Sequence, residues 1–197
     1  MPVSREVLLA CVRVRATKHG GSGTVVYSKP GKDGHSTYVL TNQHVIDELI
    51  RIEPRWNNVF KREIKAEILG TVEVDHFQYR WEQRAVGATS IEADIVAYDK
   101  EEDLALLKLR GDEPARSFAN LYPKGQESKL RIGQPTIALG AALLEPPVLT
   151  VGRLAQFGRE IDNREFWLQT APTIFGNSGG AVFLEDTAQF IGVPARI

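Results

Sequence analysis

The chain has 197 residues, 43% of them hydrophobic and 25% charged, and its 24 Lys+Arg against 25 Asp+Glu give a net charge of -1. That length is about 1.3 ordinary domains and enough to bury a core without staples. The balance excludes a nucleic-acid coat and an acidic disordered tail, and the single cysteine, Cys11, excludes an internal disulfide framework and a multi-cysteine zinc site.

Strand signals dominate the chain. Residues 7–15, 23–28 and 36–40 are short, β-rich and bounded by Gly, Pro or Asp. Gly31-Lys32-Asp33-Gly34 reads as a hairpin loop between the second and third of them. Residues 45–52 read as a short helix or turn, and 64–74, 90–98 and 104–109 as further strands. Residues 111–128 are rich in Pro, Gly and charge, which marks a linker between two halves. Five more strand-like runs follow, at 135–141, 148–157, 166–171, 180–184 and 189–196. Many short strands at this spacing point to an all-β sandwich or pair of barrels. The stretch 51–89 mixes charge with Trp56, Phe60, Phe77, Tyr79 and Trp81, and reads as an extended hairpin or surface insertion. Its Arg51, Arg55, Lys61, Arg62 and Lys65 alternate with Glu53 and Glu63, as on a solvated face.

No run approaches 18 consecutive apolar residues, so no membrane span is expected. The apolar run 7–12 is too short for a signal core and is flanked by Arg5, Glu6 and Arg13. The expectation is a cytoplasmic protein, or a periplasmic or secreted one if an export segment was removed. His19, His35 and His76 lie in polar or charged surroundings, are expected to be solvated, and show no metal-ligand spacing.

Three segments carry chemistry: Thr41-Asn42-Gln43-His44-Val45 after an apolar strand, Asp103 opening the apolar run 104–109, and Gly176-Asn177-Ser178-Gly179-Gly180 opening another strand. A hydroxyl is a poor nucleophile until a base takes its proton, and the base needs an orienting group on its other nitrogen. Imidazole, with an ordinary pKa of about 6.5, suits the first task, and a buried carboxylate suits the second. The developing oxyanion then needs donors already aimed at it. Gly176 permits a backbone shape in which two amides converge, and Gly179 and Gly180 leave room beside Ser178. Asp94 and Asp99 compete with Asp103 for the carboxylate role, but Asp94 falls inside a strand and Asp99 in a turn.

In the order His…Asp…Ser the sequence resembles the trypsin/chymotrypsin-fold serine peptidases, above all the HtrA-like branch. The matching stretches are Gly21-Ser22-Gly23-Thr24-Val25-Val26, Tyr38 to Val45, Asp103 to Leu109 and Gly176 to Val182. The resemblance covers most of the chain outside 51–89. It implies two packed antiparallel six-stranded β-barrels, here 1–112 and 129–197 joined by a linker at 113–128. It implies His44 as general base, Asp103 as its orienting acid, Ser178 as nucleophile, and the Gly176 and Ser178 N–H groups as oxyanion hole. Pro172, Thr173, Ile174, Phe175 and Asn177 then border the substrate pocket. Ile191, Gly192 and Val193 pair with the substrate backbone, although Pro194 beside them has no N–H. No carboxylate stands at Pro172, so small or medium apolar P1 side chains are expected rather than basic ones.

Asn177 stands where zymogen-activated members carry an Asp, which argues against activation by N-terminal cleavage. The family's final strand, closing helix and PDZ domain have no counterpart before Ile197, so the second barrel is expected to be incomplete and a regulatory partner or further C-terminal domain to be missing. The resemblance implies a polypeptide substrate, no cofactor or metal, and no nucleic acid. The other reading is a latent or inactive protease-fold module that binds peptides.

Overall fold

The structure is a computed structural model that describes residues 5–31, 34–81 and 84–195. It is all-β apart from one short helix and a few single turns of 3-10 helix. Helix α1 (Arg5–Ala10) leads into β1 (Cys11–Arg15), β2 (Gly20–Gly31) and β3 (Gly34–Thr41). Two 3-10 turns, Gln43–Val45 and Asp47–Leu49, precede β4 (Ile50–Asn57) and β5 (Arg62–Leu69). Then come β6 (Thr71–Arg80), β7 (Arg84–Asp99) and β8 (Leu104–Leu109). The second half holds β9 (Asn120–Leu121), β10 (Pro135–Gly140), β11 (Val148–Ile161), β12 (Arg164–Gln169), β13 (Ala181–Leu184) and β14 (Gln189–Gly192).

The first six-stranded barrel is closed, in the order β1-β2-β3-β8-β7-β6. Strand alternation fills it. Val12 and Val14 point inward between Arg13 and Arg15, and meet Val25, Val39, Val74 and Leu107, all fully buried. Each such side chain contributes about 1.5–3 kcal/mol through burial. β4 and β5 pair only with each other, forming a separate hairpin. The insertion at 51–89 is thus this hairpin together with β6 and the first part of β7.

The second sheet has six strands in the order β12-β11-β10-β13-β14-β9 and curls into a half-barrel. Among the described residues it does not close. Its core joins Ile137, Leu139, Ala181, Phe183 and Phe190 to Val7, Cys11 and Ala119. Helix α1 and the start of β1 therefore pack on the second half, against β13, the strand that follows Ser178. The whole is a double barrel of the chymotrypsin-like kind.

Three expectations change. Residues 7–10 are helical, not extended: Val7 and Ala10, three apart on one helix face, are both buried, and Val7 packs into the second core. The run 64–74 is two strands, split at Gly70, whose amide bonds to the Leu49 carbonyl at 2.9 Å. The second half has six strands rather than five. The sixth, β9, lies inside the stretch read as a linker and pairs in parallel with β14 through Asn120 and Leu121. It escapes pattern reading because it is two residues long and its partner lies some 70 residues away. The loop at Lys32 and Asp33 lies outside the described residues, although β2 and β3 pair as a hairpin around it.

Candidate active site

His44 sits in the 3-10 turn that follows β3, where Asn42 is its extended N-terminal neighbour. Asp103 occupies the residue before β8, the strand that pairs with β3. The two are 59 positions apart in sequence and adjacent in space because β3 ends beside the start of its antiparallel partner β8, where Thr41 pairs with Ala105. Asp103 is left-handed, with φ 53, which Asp tolerates better than most residues and which turns its carboxylate toward His44. The buried Asn42 amide fixes that turn by donating to the Asp103 carbonyl at 2.7 Å.

His44 Nδ1 lies 2.8 Å from Asp103 Oδ2 and 3.1 Å from Oδ1. The His44 backbone N–H also donates to Oδ1, at 2.9 Å. Burial alone works against charge on Asp103. The two hydrogen bonds from His44 and the nearby positive charge outweigh it and hold the carboxyl below its ordinary range. The carboxylate is largely covered, while the imidazole is 45% exposed and open to a reacting partner. The competing acids are engaged elsewhere. Asp94 pairs with Arg110 at 2.8 Å, and Asp99 caps the turn at Glu101 and Glu102.

Ser178 lies in the turn before β13 and is half-buried. Its carbonyl accepts the Ser22 amide at 2.8 Å. A Cβ on Gly179 would sit 3.1 Å from the Asn42 amide and 2.1 Å from the Ser22 carbonyl, so only glycine lets the chain approach. A Cβ on Gly21 would meet both the Ser178 carbonyl and the Val45 side chain at 2.8 Å. Gly179 thus runs beside the end of β3 at Thr41 and Asn42, and the Ser178 carbonyl and the Val45 side chain both crowd Gly21.

The carbonyls of residues 175–178 are each tied down. Phe175 C=O accepts the Leu143 amide at 2.7 Å, and Gly176 C=O accepts the Ser22 hydroxyl at 2.6 Å. Asn177 C=O accepts the Gly180 amide at 2.9 Å, while the Asn177 amide donates to Ile174 C=O at 3.0 Å. A trans peptide points its N–H opposite to its C=O. The Gly176 and Ser178 N–H groups are therefore turned away from these anchors, and neither donates a hydrogen bond among the described residues. Gly176 has φ +95, and a Cβ there would strike the Ala141 carbonyl at 2.4 Å.

The residues expected to touch substrate are arranged around this turn. Asn177 is buried, and its side-chain oxygen accepts the Ile174 amide at 3.1 Å. Ile174 and Phe175 are exposed, Phe175 at 80%, and the Pro172 carbonyl accepts the Thr150 hydroxyl. Thr173 is half-buried. Ile191 and Gly192 lie on β14 past its pairing with β9, and Val193 follows them. Next to them the Pro194 carbonyl accepts the Gly179 amide at 3.2 Å. A groove of about 290 Å3 lies between Val26, Leu40, Leu121, Trp167 and Phe190, and of the expected residues only Ile191 lines it.

Sequence reading missed the supports. Ser22, Thr41 and Leu143 each contact the Ser178 turn or its neighbours, and Ser22 was visible only as the middle of Gly21-Ser22-Gly23. His76 also departs from expectation. Its Nε2 is shut from solvent without a hydrogen-bond partner among the described residues, and burial pushes its pKa down.

A family model described as a trypsin-like peptidase domain matches residues 21–193. The chain is 30% identical over 180 residues to a probable periplasmic serine endoprotease, DegP-like, of Marinomonas sp., covering 90% of this chain and 29% of that protein. It is 26% identical over 181 residues to the periplasmic pH-dependent serine endoprotease DegQ of Escherichia coli, covering 90% and 31%. Among solved structures, the crystal structure of Deg5 superposes with a TM-score of 0.67 at 25% identity, covering 98% of this chain and 81% of that one. The chain spans about 30% of the length of these curated relatives. Both are named periplasmic, so they give no support to a cytoplasmic location. No helix among the described residues is long and apolar enough to cross a membrane.

Proposed function

Because this chain belongs to the trypsin-like peptidase family, we propose that it is a serine endopeptidase working through Ser178, His44 and Asp103. The observation that carries the reading is the pairing of His44 Nδ1 with the Asp103 carboxylate at 2.8 Å. A ring whose Nδ1–H is donated to a carboxylate keeps Nε2 as an acceptor, and an accepting Nε2 is what a serine hydroxyl needs.

In the proposed reaction Ser178 Oγ attacks the substrate carbonyl carbon and its proton passes to His44 Nε2. The charge that develops on the carbonyl oxygen is met by the Gly176 and Ser178 N–H groups. Collapse of the tetrahedral adduct breaks the peptide C–N bond, and His44 returns the proton to the leaving amine. A water molecule then attacks the acyl group on Ser178 with His44 again taking the proton, which releases the acid and restores the hydroxyl. Asp103 holds the ring in one tautomer and stabilises its protonated form.

The substrate is proposed to be extended or unfolded polypeptide, lying along Ile191, Gly192 and Val193 past the end of β9. An exposed strand edge recognises such a chain by main-chain hydrogen bonds. Its P1 side chain would face Pro172–Asn177, where no acid offers a partner to Lys or Arg, so small or apolar residues are favoured. Following its relatives, the chain is proposed to act outside the cytoplasm. Digestion of casein with mass-spectrometric mapping of the cut sites tests this reading. Cuts after Ala, Val or similar residues, absent with Ser178→Ala, support it; an intact substrate favours a peptide-binding module, the reading that the open second sheet favours.

A further inference from the structure

We propose that Ser22 is a positioning residue for the turn that carries Ser178. Its hydroxyl holds the Gly176 carbonyl and thereby keeps the Gly176 and Ser178 amides facing the reacting carbonyl. The inference rests on the peptidase reading above and adds to it a component from the first barrel.

Ser22 is fully buried in β2, and all of its polar atoms are occupied. Its Oγ donates to the Gly176 carbonyl at 2.6 Å and accepts the Ala141 amide at 2.7 Å. A hydroxyl has a single proton. The Ala141 N–H supplies its own proton, so the Ser22 proton is committed to Gly176. The Ser22 amide donates to the Ser178 carbonyl at 2.8 Å, and the Ser22 carbonyl accepts the Thr41 hydroxyl at 2.7 Å. One residue thus ties the end of β3, the segment after β10 and both sides of Asn177 into a single cluster spanning the two halves of the fold.

The tether answers a need that Gly176 creates. Only glycine fits there, since φ is +95 and a Cβ would strike the Ala141 carbonyl. Glycine also has the most alternative backbone states open to it. A rotated 176–177 peptide would reorient the Gly176 carbonyl, disturb the Asn177 amide and misalign the donors beside it. The Ser22 hydroxyl binds that carbonyl directly. In Ser22→Ala the Gly176 carbonyl and the Ala141 amide both lose their buried partner, and rotation of the peptide becomes the way to recover one.

The test compares wild type, Ser22→Ala and Thr37→Val on fluorescein-labelled casein, with melting curves for each. Thr37 is equally buried and bonds Ser28 Oγ at 2.8 Å on the β2–β3 hairpin, so its loss removes a partly buried hydrogen bond that touches no part of the Ser178 turn. Loss of a whole oxyanion donor lowers kcat by about 10²–10³-fold. A loosened one is expected to lower it by about 10–100-fold in Ser22→Ala, with KM within about twofold and Thr37→Val near wild type. Ser22→Cys, which keeps the volume and a weak donor, should fall between and serves if Ser22→Ala does not fold. Hydrogen exchange of residues 173–180 is measured in a Ser178→Ala background with and without Ser22→Ala, and should quicken there and not elsewhere. A folded Ser22→Ala with kcat within twofold of wild type, or an equal fall in Thr37→Val, overturns the proposal. If wild type cleaves nothing, the peptidase reading fails by itself, and unchanged exchange at 173–180 separately overturns the role of Ser22.

Discussion

Asp103 receives two hydrogen bonds from one residue: the His44 ring at 2.8 Å and the His44 backbone amide at 2.9 Å. The carboxylate is thereby fixed to the backbone that carries the imidazole, so ring and carboxylate cannot drift apart independently. Asp103→Asn keeps the shape but offers an amide that can donate to Nδ1, which favours the wrong tautomer. The expected result is a fall in kcat of about 10³–10⁴-fold with KM little changed. Steady-state kinetics with a matched melting curve checks it.

Asp75 predicts an acid-side loss of stability. This carboxylate is 1% exposed on β6, and Arg13 and Arg15 reach its Oδ2 at 2.8 and 2.7 Å. Burial works against its charge. Hydrogen bonds from Arg15, Ser90 and Arg13 win and hold its pKa at about 2, against 3.8 for the free side chain. A carboxyl whose folded pKa is depressed contributes stability that is complete above its unfolded pKa and is lost as pH falls through the folded one. Asp75 should therefore contribute roughly 2 kcal/mol at neutral pH, most of it lost between about pH 4 and pH 2. Urea unfolding from pH 7 to pH 2 measures this, and Asp75→Asn should flatten the dependence over that window.

Gly176→Ala should leave a folded but nearly inactive protein. The added Cβ meets the Ala141 carbonyl at 2.4 Å and the Leu143 amide at 2.7 Å, in a left-handed conformation that alanine avoids. The turn must shift to relieve this, and the Gly176 donor moves with it. A loss in kcat of at least about 10²-fold is expected, the scale of one missing oxyanion donor, with a much smaller drop in Tm. An activity within tenfold of wild type would contradict the tight cradle.

Cys11 should be inert in the folded state. It is 2% exposed between α1 and the second core, and burial pushes its thiol up to about 12. At pH 8 a disulfide reagent such as DTNB should release no colour from native protein over an hour, and one equivalent in guanidinium.

How much of this was legible in the sequence depends on the range of the interaction. β8 was readable because Leu104–Leu109 alternates buried and less buried positions behind the turn at Asp103. The pairing of His44 with Asp103 was foreseeable, and Ser178 could be named as a candidate beside them, because each stands in a local motif whose chemistry demands its neighbours. The helix at Arg5–Ala10 was not, since the apolar run 7–12 suits either period and a contact with Phe183 and Leu139 decides between them. β9 was hidden because only its long-range partner makes two residues a strand. Ser22 was hidden for the same reason: its bonds reach 119 and 154 positions along the chain.

The central claim is that Ser178 is an activated nucleophile, and covalent labelling with a fluorophosphonate probe tests it most directly. The folded wild type should take up one equivalent on Ser178, with labelling abolished in Ser178→Ala and strongly slowed in His44→Ala. A folded wild type that takes up no probe, or carries it on a residue other than Ser178, would contradict the account.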